Sequence, residues 1–240
     1  MSTADKDGAD LIRIAITGSI LAPSPSALHQ QMNAAEVTAI MEAAHGMGKK
    51  VSAHAHGLPG IRATLSAGVH SIEHGSFGDD KTLELYRRSG AYLVPSMTAM
   101  KMLEGKVEND PSVHPLVKAN VLNANARLSE VVRSAYRGGV KIVFGTDSNV
   151  GMHGQNAHEF ELLKAARLSN ADMIRSATVF AAELLGLSDE IGTLKAGKRA
   201  DLIATQEDPL KDIGELGKVT FVMKNGRVVV QPRPVASSGD

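Results

Sequence analysis

The chain has 240 residues, 43% of them hydrophobic, which suits one large α/β domain or a domain with a small appendage. Its 26 basic and 26 acidic residues cancel, which argues against nucleic-acid binding and against electrostatic attachment to a membrane surface. Cysteine is absent, so disulfides and thiolate zinc sites are excluded, and any metal site must use histidine and carboxylate ligands.

The amino-terminal residues carry no targeting signal that the sequence reveals. The first ten residues lack the apolar segment of a signal peptide. No apolar run in the sequence approaches the length of about 20 residues that a membrane helix needs. A cytoplasmic protein is therefore the default expectation.

Short apolar strands alternate with helices over the first three quarters of the chain. No hairpin signal separates the strands, which favours parallel β-α units. Asn33 and Glu36 predict the start of the first helix as an N-cap and its partner. We predict strands over 11–17, 51–55, 69–73, 91–96 and 140–144, and helices over 35–47, 59–67, 81–89, 114–137, 158–168 and 171–185.

The stretch 51–59, V-S-A-H-A-H-G-L-P, is the first sign of a functional site. On a strand, Ser52, His54 and His56 would project from one face because they lie two residues apart. Histidine is the commonest metal ligand and the usual acid or base near neutral pH. The same pattern also fits a strand with one hydrogen-bonded core histidine and one exposed histidine, so both interpretations stay open here.

Other polar residues follow the same arrangement at further strand ends. His54, His74 and Asp147 each lie at or just before a glycine-containing loop, and Arg13 lies within the first strand. In a (β/α) barrel the chemistry gathers at the carboxyl ends of the strands. The pattern therefore predicts a metal site on that fold. A charge such as Arg13 inside an apolar strand is rarely left unpaired.

The character of the sequence changes after Leu187. A strand is predicted over 200–205, and Asn225-Gly226 between two apolar runs predicts a hairpin. We therefore divide the chain into a partial barrel domain over 1–187, a β appendage over 188–231 and a disordered tail over 232–240.

Ordered motifs along nearly the whole chain resemble the metal-dependent amidohydrolase superfamily, nearest to its Xaa-Pro dipeptidase or prolidase-like branch, which has imidazolonepropionase relatives. The matching stretches include G-A-D-L-I-R-I, V-S-A-H-A-H-G, S-I-E-H-G-S, Y-L-V-P-S, F-G-T-D-S and I-G-T-L-K-A-G-K-R-A-D-L-I. The resemblance implies an α/β fold: about strands 4 to 8 of an incomplete (β/α)8 TIM-type barrel, plus the C-terminal part of a small β-sandwich.

The resemblance also implies a site and an activity. His54, His74 and Asp147 match positions that hold divalent metal in the family, and Asp147 would also move a proton from the attacking water to the leaving amine. We expect zinc, with one ion rather than two, and hydrolysis of C–N bonds in a small peptide or cyclic amide. His56, Arg13 and His153 are candidates for substrate contact.

Two departures from the family pattern support a second hypothesis. Arg13 stands where the family has a lysine that becomes a bridging carbamate, and a guanidinium cannot undergo that reaction. The first-strand His-x-His pair and three barrel strands have no counterpart, so a longer parent chain or a partner chain would have to complete the barrel. The alternative is thus an inactive fragment or degenerate relative that needs a partner.

Overall fold

The structure, a computed structural model, describes residues 8–148 and 153–231. Its centre is a four-stranded parallel sheet in which each strand pairs with the next one along the chain. This order confirms the predicted parallel β-α units. The strands, in the order in which they lie in the sheet, are β1 (Leu11–Ala15), β2 (Lys50–Ala55), β3 (Ser71–His74) and β4 (Tyr92–Val94).

Helices follow the strands, and their ends carry the expected capping residues. The Asn33 side chain accepts a hydrogen bond from the Glu36 backbone N–H, and the Glu36 carboxylate accepts one from the Asn33 N–H, as predicted. No helix in the described part of the chain is both long and apolar enough to span a membrane. The helices are α1 (Ala34–Gly46), α2 (Leu58–Ser66), α3 (Asp80–Ser89), α4 (Met97–Asn109), α5 (Pro115–Arg137), α6 (His158–Ala165), α7 (Asn170–Ala177) and α8 (Val179–Leu185).

The two faces of the parallel sheet differ in chemistry. One face is apolar and belongs to the hydrophobic core that α1, α2 and α3 cover; its side chains are Ile14, Val51, Ala53, Ile72 and Leu93, each 5% exposed or less. A fully buried large aliphatic side chain stabilises the fold by about 1.5–3 kcal/mol. The other face is polar, and the register aligns Arg13 with Ser52 and His54 with Glu73. The polar face therefore holds the candidate site.

The predicted fifth strand, 140–144, was wrong as a regular strand. Ile142 makes a single parallel bridge to Leu93, with the Leu93 N–H donating to the Lys141 carbonyl at 3.0 Å. The segment does lie beside β4, and the Val143 N–H donates to the Leu93 carbonyl at 2.9 Å. The next donor of this ladder would be residue 95, a proline without an N–H, so the pairing ends after one bridge. The Phe144 N–H, on the opposite edge of the segment, donates to the Ser176 carbonyl at 3.2 Å.

The helix predictions also needed two corrections. The predicted helix over 171–185 is broken at Thr178, where φ is −127° and ψ is −82°. The Thr178 hydroxyl donates to the Ile174 carbonyl, a local bond that competes with continuation of the helix. Helix α4 was not predicted, because its start follows Pro95 and depends on a carboxylate far along the chain, Glu159.

The C-terminal part is a small antiparallel sheet of β5 (Leu202–Ala204), β6 (Phe221–Lys224) and β7 (Arg227–Val230). Asn225 and Gly226 join β6 to β7 with φ of 49° and 74°. Two positive φ values are typical of the tight hairpin turn that Asn-Gly favours, so the predicted hairpin is confirmed. The predicted tail, 232–240, lies outside the described residues.

Candidate metal centre

Three histidine rings meet at the carboxyl end of the parallel sheet. His54 belongs to β2, His56 follows it directly, and His74 ends β3. Ring centroids lie 4.8 Å apart for His54 and His56 and 4.9 Å apart for each pair that includes His74. The His56 and His74 rings are stacked, and the His54 ring stands edge-on to both. We call these three residues the histidine trio.

Left-handed backbone at the strand end brings His74 into the trio. Strict alternation along β3 would place His74 on the core side of the sheet, because it pairs in register with Ala55. Its φ of 68° breaks the alternation. Ser96 and Asp147 also have positive φ, 50° and 48°, and they follow β4 and the 140–144 segment. Such conformations cost of order 1–3 kcal/mol for residues other than glycine and cluster at functional sites.

Burial keeps the trio uncharged near neutral pH. Burial, and then the neighbouring His54 and Arg13, lowers the pKa of His74 to about 3. Burial and the other two rings hold the pKa of His56 well below its ordinary value of 6.5. The pKa of His54 is lowered as well, first by burial and then by Arg13. Neutral imidazoles have the nitrogen lone pairs that a metal ion requires.

The hydrogen bonds around the trio leave ligand atoms available. The Ser76 hydroxyl lies 2.9 Å from Nδ1 of His56 and orients that ring. The backbone N–H of His56 donates a hydrogen bond to the Thr17 hydroxyl. Nδ1 of His74 is buried and has no hydrogen-bond partner in the described residues. A buried polar atom without a partner is costly unless something binds it.

The donor set fits a divalent cation such as zinc. One nitrogen from each ring lies within 4.8 Å of the others. Two nitrogens bound to one tetrahedral zinc ion lie about 3.4 Å apart, so nitrogens that are now up to 4.8 Å apart would have to approach by about 1.4 Å. Nitrogen ligands suit zinc and other late transition metals better than magnesium or calcium.

Asp147 lies near the trio but is not one of its members. It is half-buried, and its charge acts on both His54 and Glu73. The adjacent hydroxyls of Thr146 and Ser148 lie 2.9 Å apart, which helps to fix the loop around it. The described residues thus group His54 and His74 with His56, whereas the sequence predicted His54 and His74 with Asp147.

Arg13 and His153 occupy different surroundings. Arg13 is exposed on the polar face of β1 and makes no ion pair with the described residues, so the expectation that a charge inside this strand is paired was wrong. The strand β1 lies at the edge of the four-stranded sheet, and the Arg13 side chain is open to solvent there. Arg13 still lowers the pKa of His54 and His74. His153 is exposed, and no contact among the described residues links it to the trio.

Sequence reasoning missed two residues of this site. Ser76, which orients His56, follows the conspicuous E-H-G motif by one residue, and its place in a strand-end loop was the available signal. Glu73 shares the polar face with His54, and the Ser71 hydroxyl donates to its carboxylate at 2.8 Å. Burial raises the pKa of Glu73, with the Ser71 bond opposing that shift.

Comparisons with known proteins support the same picture. A family model described as the amidohydrolase family matches residues 6–229. Ochratoxinase from Aspergillus niger is 30% identical over 230 residues, which cover 94% of this chain and 47% of that protein. A crystal structure of a Xaa-Pro dipeptidase with methionine bound in its active site superposes with a TM-score of 0.90 at 38% identity, covering 94% of this chain and 56% of that one.

A putative prolidase from Bifidobacterium longum gives a TM-score of 0.83 at 32% identity, covering 96% of this chain and 58% of that structure. The chain therefore spans about half the length of the relatives it matches. These likenesses and the parallel sheet confirm the predicted α/β fold class, part of a TIM-type barrel followed by a small antiparallel sheet. By its match to the family model over most of its length, this chain belongs to the amidohydrolase family.

Proposed function

We propose that this chain carries the metal-holding end of a hydrolase that cleaves C–N bonds in small peptides, amides or cyclic amides. The observation that carries the proposal is the histidine trio, three neutral imidazoles with an unpartnered nitrogen at the carboxyl end of a parallel sheet. That end of the sheet is where barrel enzymes place their chemistry. Membership of the amidohydrolase family gives the reaction class its support.

For the metal, we assign His54, His74 and Asp147 as ligands, with His56 as a further nitrogen within reach. When bound, a divalent cation would lower the pKa of a coordinated water and polarise the carbonyl under attack. We favour zinc because the donors are nitrogen and carboxylate oxygen. One ion is favoured over two because the fixed charge of Arg13 already acts on His54 and His74 and would repel a second cation.

The chain's own residues would supply the proton transfer. A carboxylate oxygen of Asp147 would take a proton from the attacking water and return it to the leaving nitrogen. Its charge already reaches His54, which supports a place beside the reacting groups. The Ser76 hydroxyl would keep His56 oriented during the reaction.

Substrate contacts are assigned to Arg13, His56 and His153. Arg13 is exposed and unpaired among the described residues, so its guanidinium is available to a substrate carboxylate. The relatives include a Xaa-Pro dipeptidase and a prolidase complexed with N-methylphosphonate-L-proline, both of which suit a small peptide with a free carboxylate. We further propose that additional polypeptide, in the same chain or a partner, covers the open polar face of the sheet.

A hydrolysis assay tests this proposal. The purified chain, loaded with zinc and freed of excess metal, is incubated with a panel of dipeptides, N-acyl amino acids and cyclic amides, and amine release is followed. We expect zinc-dependent turnover that a chelator abolishes and that zinc restores. His54→Ala should lose it, and the exposed His45→Ala serves as the matched control. Absence of turnover for every C–N substrate would reject the hydrolase assignment for this chain by itself.

A further inference from the structure

A separate cavity lies beside the histidine trio, between the turn Pro25–Leu28, Phe77 and helix α5. Its volume is ≈ 370 Å³, within the range of small-ligand sites. Ala27, Leu28 and Ala126 form apolar parts of its wall, and Arg127 and Asn123 form polar parts. We call it the Arg127 pocket.

Backbone hydrogen bonds attach the wall of this pocket to the loop that carries His56. The Phe77 N–H donates to the His56 carbonyl at 3.2 Å, and the Gly57 N–H donates to the Ala27 carbonyl at 3.1 Å. Ser76, which orients the His56 ring, directly precedes Phe77. A ligand in the Arg127 pocket would therefore lie next to the trio, and a shift of the pocket wall would move the backbone of His56.

The wall is also fixed from the helix side. The Asn120 side chain donates to the carbonyls of Ala22 and Ser24, at 3.3 and 2.9 Å, which ties α5 to the loop after β1. A Cβ on Gly57 would lie 2.4 Å from the Leu28 carbonyl oxygen, so the two loops approach as closely as glycine allows. The pocket is thus preformed by packing between loops and helix.

The polar part of the pocket wall carries a cation and an amide. The Arg127 guanidinium lies 5.7 Å from the centroid of the Phe77 ring, and no carboxylate of the described residues pairs with it. The ring holds the guanidinium over its face and leaves the N–H edge available. The exposed Asn123 side chain, without a polar partner in the described residues, adds an amide donor at the same wall.

We propose that the Arg127 pocket binds a carboxylate carried on a short apolar stem, such as the acidic side chain of a substrate residue. For the substrate class this inference rests on the proposed function: it makes that hydrolase selective for amides or peptides bearing an acidic group near the scissile bond. Binding of the carboxylate itself does not depend on turnover. Arg127 is then a specificity-determining residue.

The first test measures binding of glutarate, with the diamide glutaramide as its neutral isostere, to the metal-free chain by titration calorimetry or ligand-observed NMR. We expect glutarate to bind more tightly than glutaramide. Arg127→Gln should weaken glutarate binding by roughly tenfold, because a charge-assisted hydrogen bond is lost. Arg137→Gln, the same charge change at an exposed position of the same helix, should leave binding unchanged. Equal binding of the two ligands, or equal loss in both variants, would overturn the proposal.

The second test separates this proposal from the proposed function. With substrates that differ only in Glu against Gln, Arg127→Gln should raise KM about tenfold for the acidic substrate and leave kcat and the neutral substrate unchanged. If no C–N substrate is cleaved, the hydrolase assignment for this chain by itself fails, while the glutarate measurement still tests whether the Arg127 pocket binds a carboxylate. If turnover occurs without a preference for the acidic substrate, the pocket's role in selectivity is rejected and the hydrolase assignment stands.

Discussion

The two ends of the parallel sheet differ in whether their polar side chains have hydrogen-bond partners. At the amino end, the Glu183 carboxylate accepts hydrogen bonds from Lys141 and Tyr92, and the Lys50 ammonium donates to the last carbonyls of α8. At the carboxyl end, Nδ1 of His74 is buried and has no partner in the described residues. Paired groups stabilise a fold, whereas unpaired buried groups cost free energy and are retained for binding. The paired groups therefore stabilise the amino end, whereas the proposed function lies at the carboxyl end.

The largest effect that this comparison predicts is on activity at the carboxyl end. Asp147→Asn should lower kcat by about 10²–10⁴-fold on any substrate that the wild type cleaves, because the amide cannot accept the proton. The free energy of unfolding should stay within about 0.5 kcal/mol of wild type. Steady-state kinetics and urea unfolding measure the two quantities. Asp189→Asn, at an exposed position, is the control. Equal kcat in both variants would remove Asp147 from the chemistry.

Glu159 is an exception to this difference between the two ends of the sheet. It lies near the carboxyl end, yet both of its carboxylate oxygens accept hydrogen bonds. It is 0% exposed, and its carboxylate accepts from the backbone N–H groups of Met97 and Thr98 and from the Thr98 hydroxyl. Glu159→Ala would leave these donors buried without a partner and should destabilise the fold by about 3 kcal/mol. Chemical unfolding measures this loss.

The matched control for that prediction is Glu161→Ala on the same helix. Its side chain is 66% exposed, and its surface pair with His158 contributes at most about 0.5 kcal/mol. If Glu159→Ala and Glu161→Ala destabilised the protein equally, the buried carboxylate would not hold the start of α4.

A smaller effect is expected at the amino end from Lys50→Met. The Lys50 ammonium donates to the Glu183 and Leu184 carbonyls, and it places a cation at the C-terminal end of α8. Removing it should cost about 1–2 kcal/mol of unfolding free energy without changing bound metal. Thermal unfolding and metal analysis measure both. Lys49→Met, at a neighbour without a polar side-chain contact to the described residues, should cost less. A loss of metal in Lys50→Met would contradict the division between the ends.

The smallest effect concerns pH. Hydrogen bonds from Lys141 and then from Tyr92 lower the pKa of Glu183 from its ordinary value of 4.5. A lowered pKa of an acid stabilises the fold above 4.5, and that stabilisation is lost as the pH falls from 4.5 through the lowered value. Because the group is partly exposed, the free energy of unfolding of wild type should exceed that of Glu183→Gln by at most about 1 kcal/mol at pH 7, and the difference should shrink as the pH falls below 4.5. A difference that does not change with pH in urea unfolding would contradict this pairing.

Local sequence patterns were enough to predict most of the fold. Apolar runs and caps such as Asn33 with Glu36 are short-range signals, so the strands and most helices were predicted within a few residues. Helix α4 was missed because its N-terminal hydrogen bonds come from Glu159, about sixty residues later in the chain. The break at Thr178 was missed because the side-chain bond that ends α7 competes with a strong helical pattern.

The candidate site was predicted only in part, because short-range patterns indicate some of its residues and tertiary contacts determine the others. Strand-end positions suggested His54 and His74, and the spacing of two residues suggested His56 on the same face. The left-handed φ of His74 is not visible in a two-residue alternation, so neither its entry into the trio nor the shared face of Glu73 and His54 could be read from the pattern. Which carboxylate or third ring completes a ligand set depends on tertiary contacts.

The most direct measurement is the zinc content of the chain after zinc loading and exhaustive dialysis, compared among wild type, His54→Ala, His56→Ala, Asp147→Asn and the control His45→Ala. We predict about one zinc ion per chain in wild type and in His45→Ala, and at least a tenfold loss of bound zinc in His54→Ala. Losses in His56→Ala and Asp147→Asn would tell whether the third ring, the carboxylate or both complete the site. A wild-type chain that retains no zinc, or a His54→Ala variant that retains as much as wild type, would contradict a metal centre at the carboxyl end of the sheet.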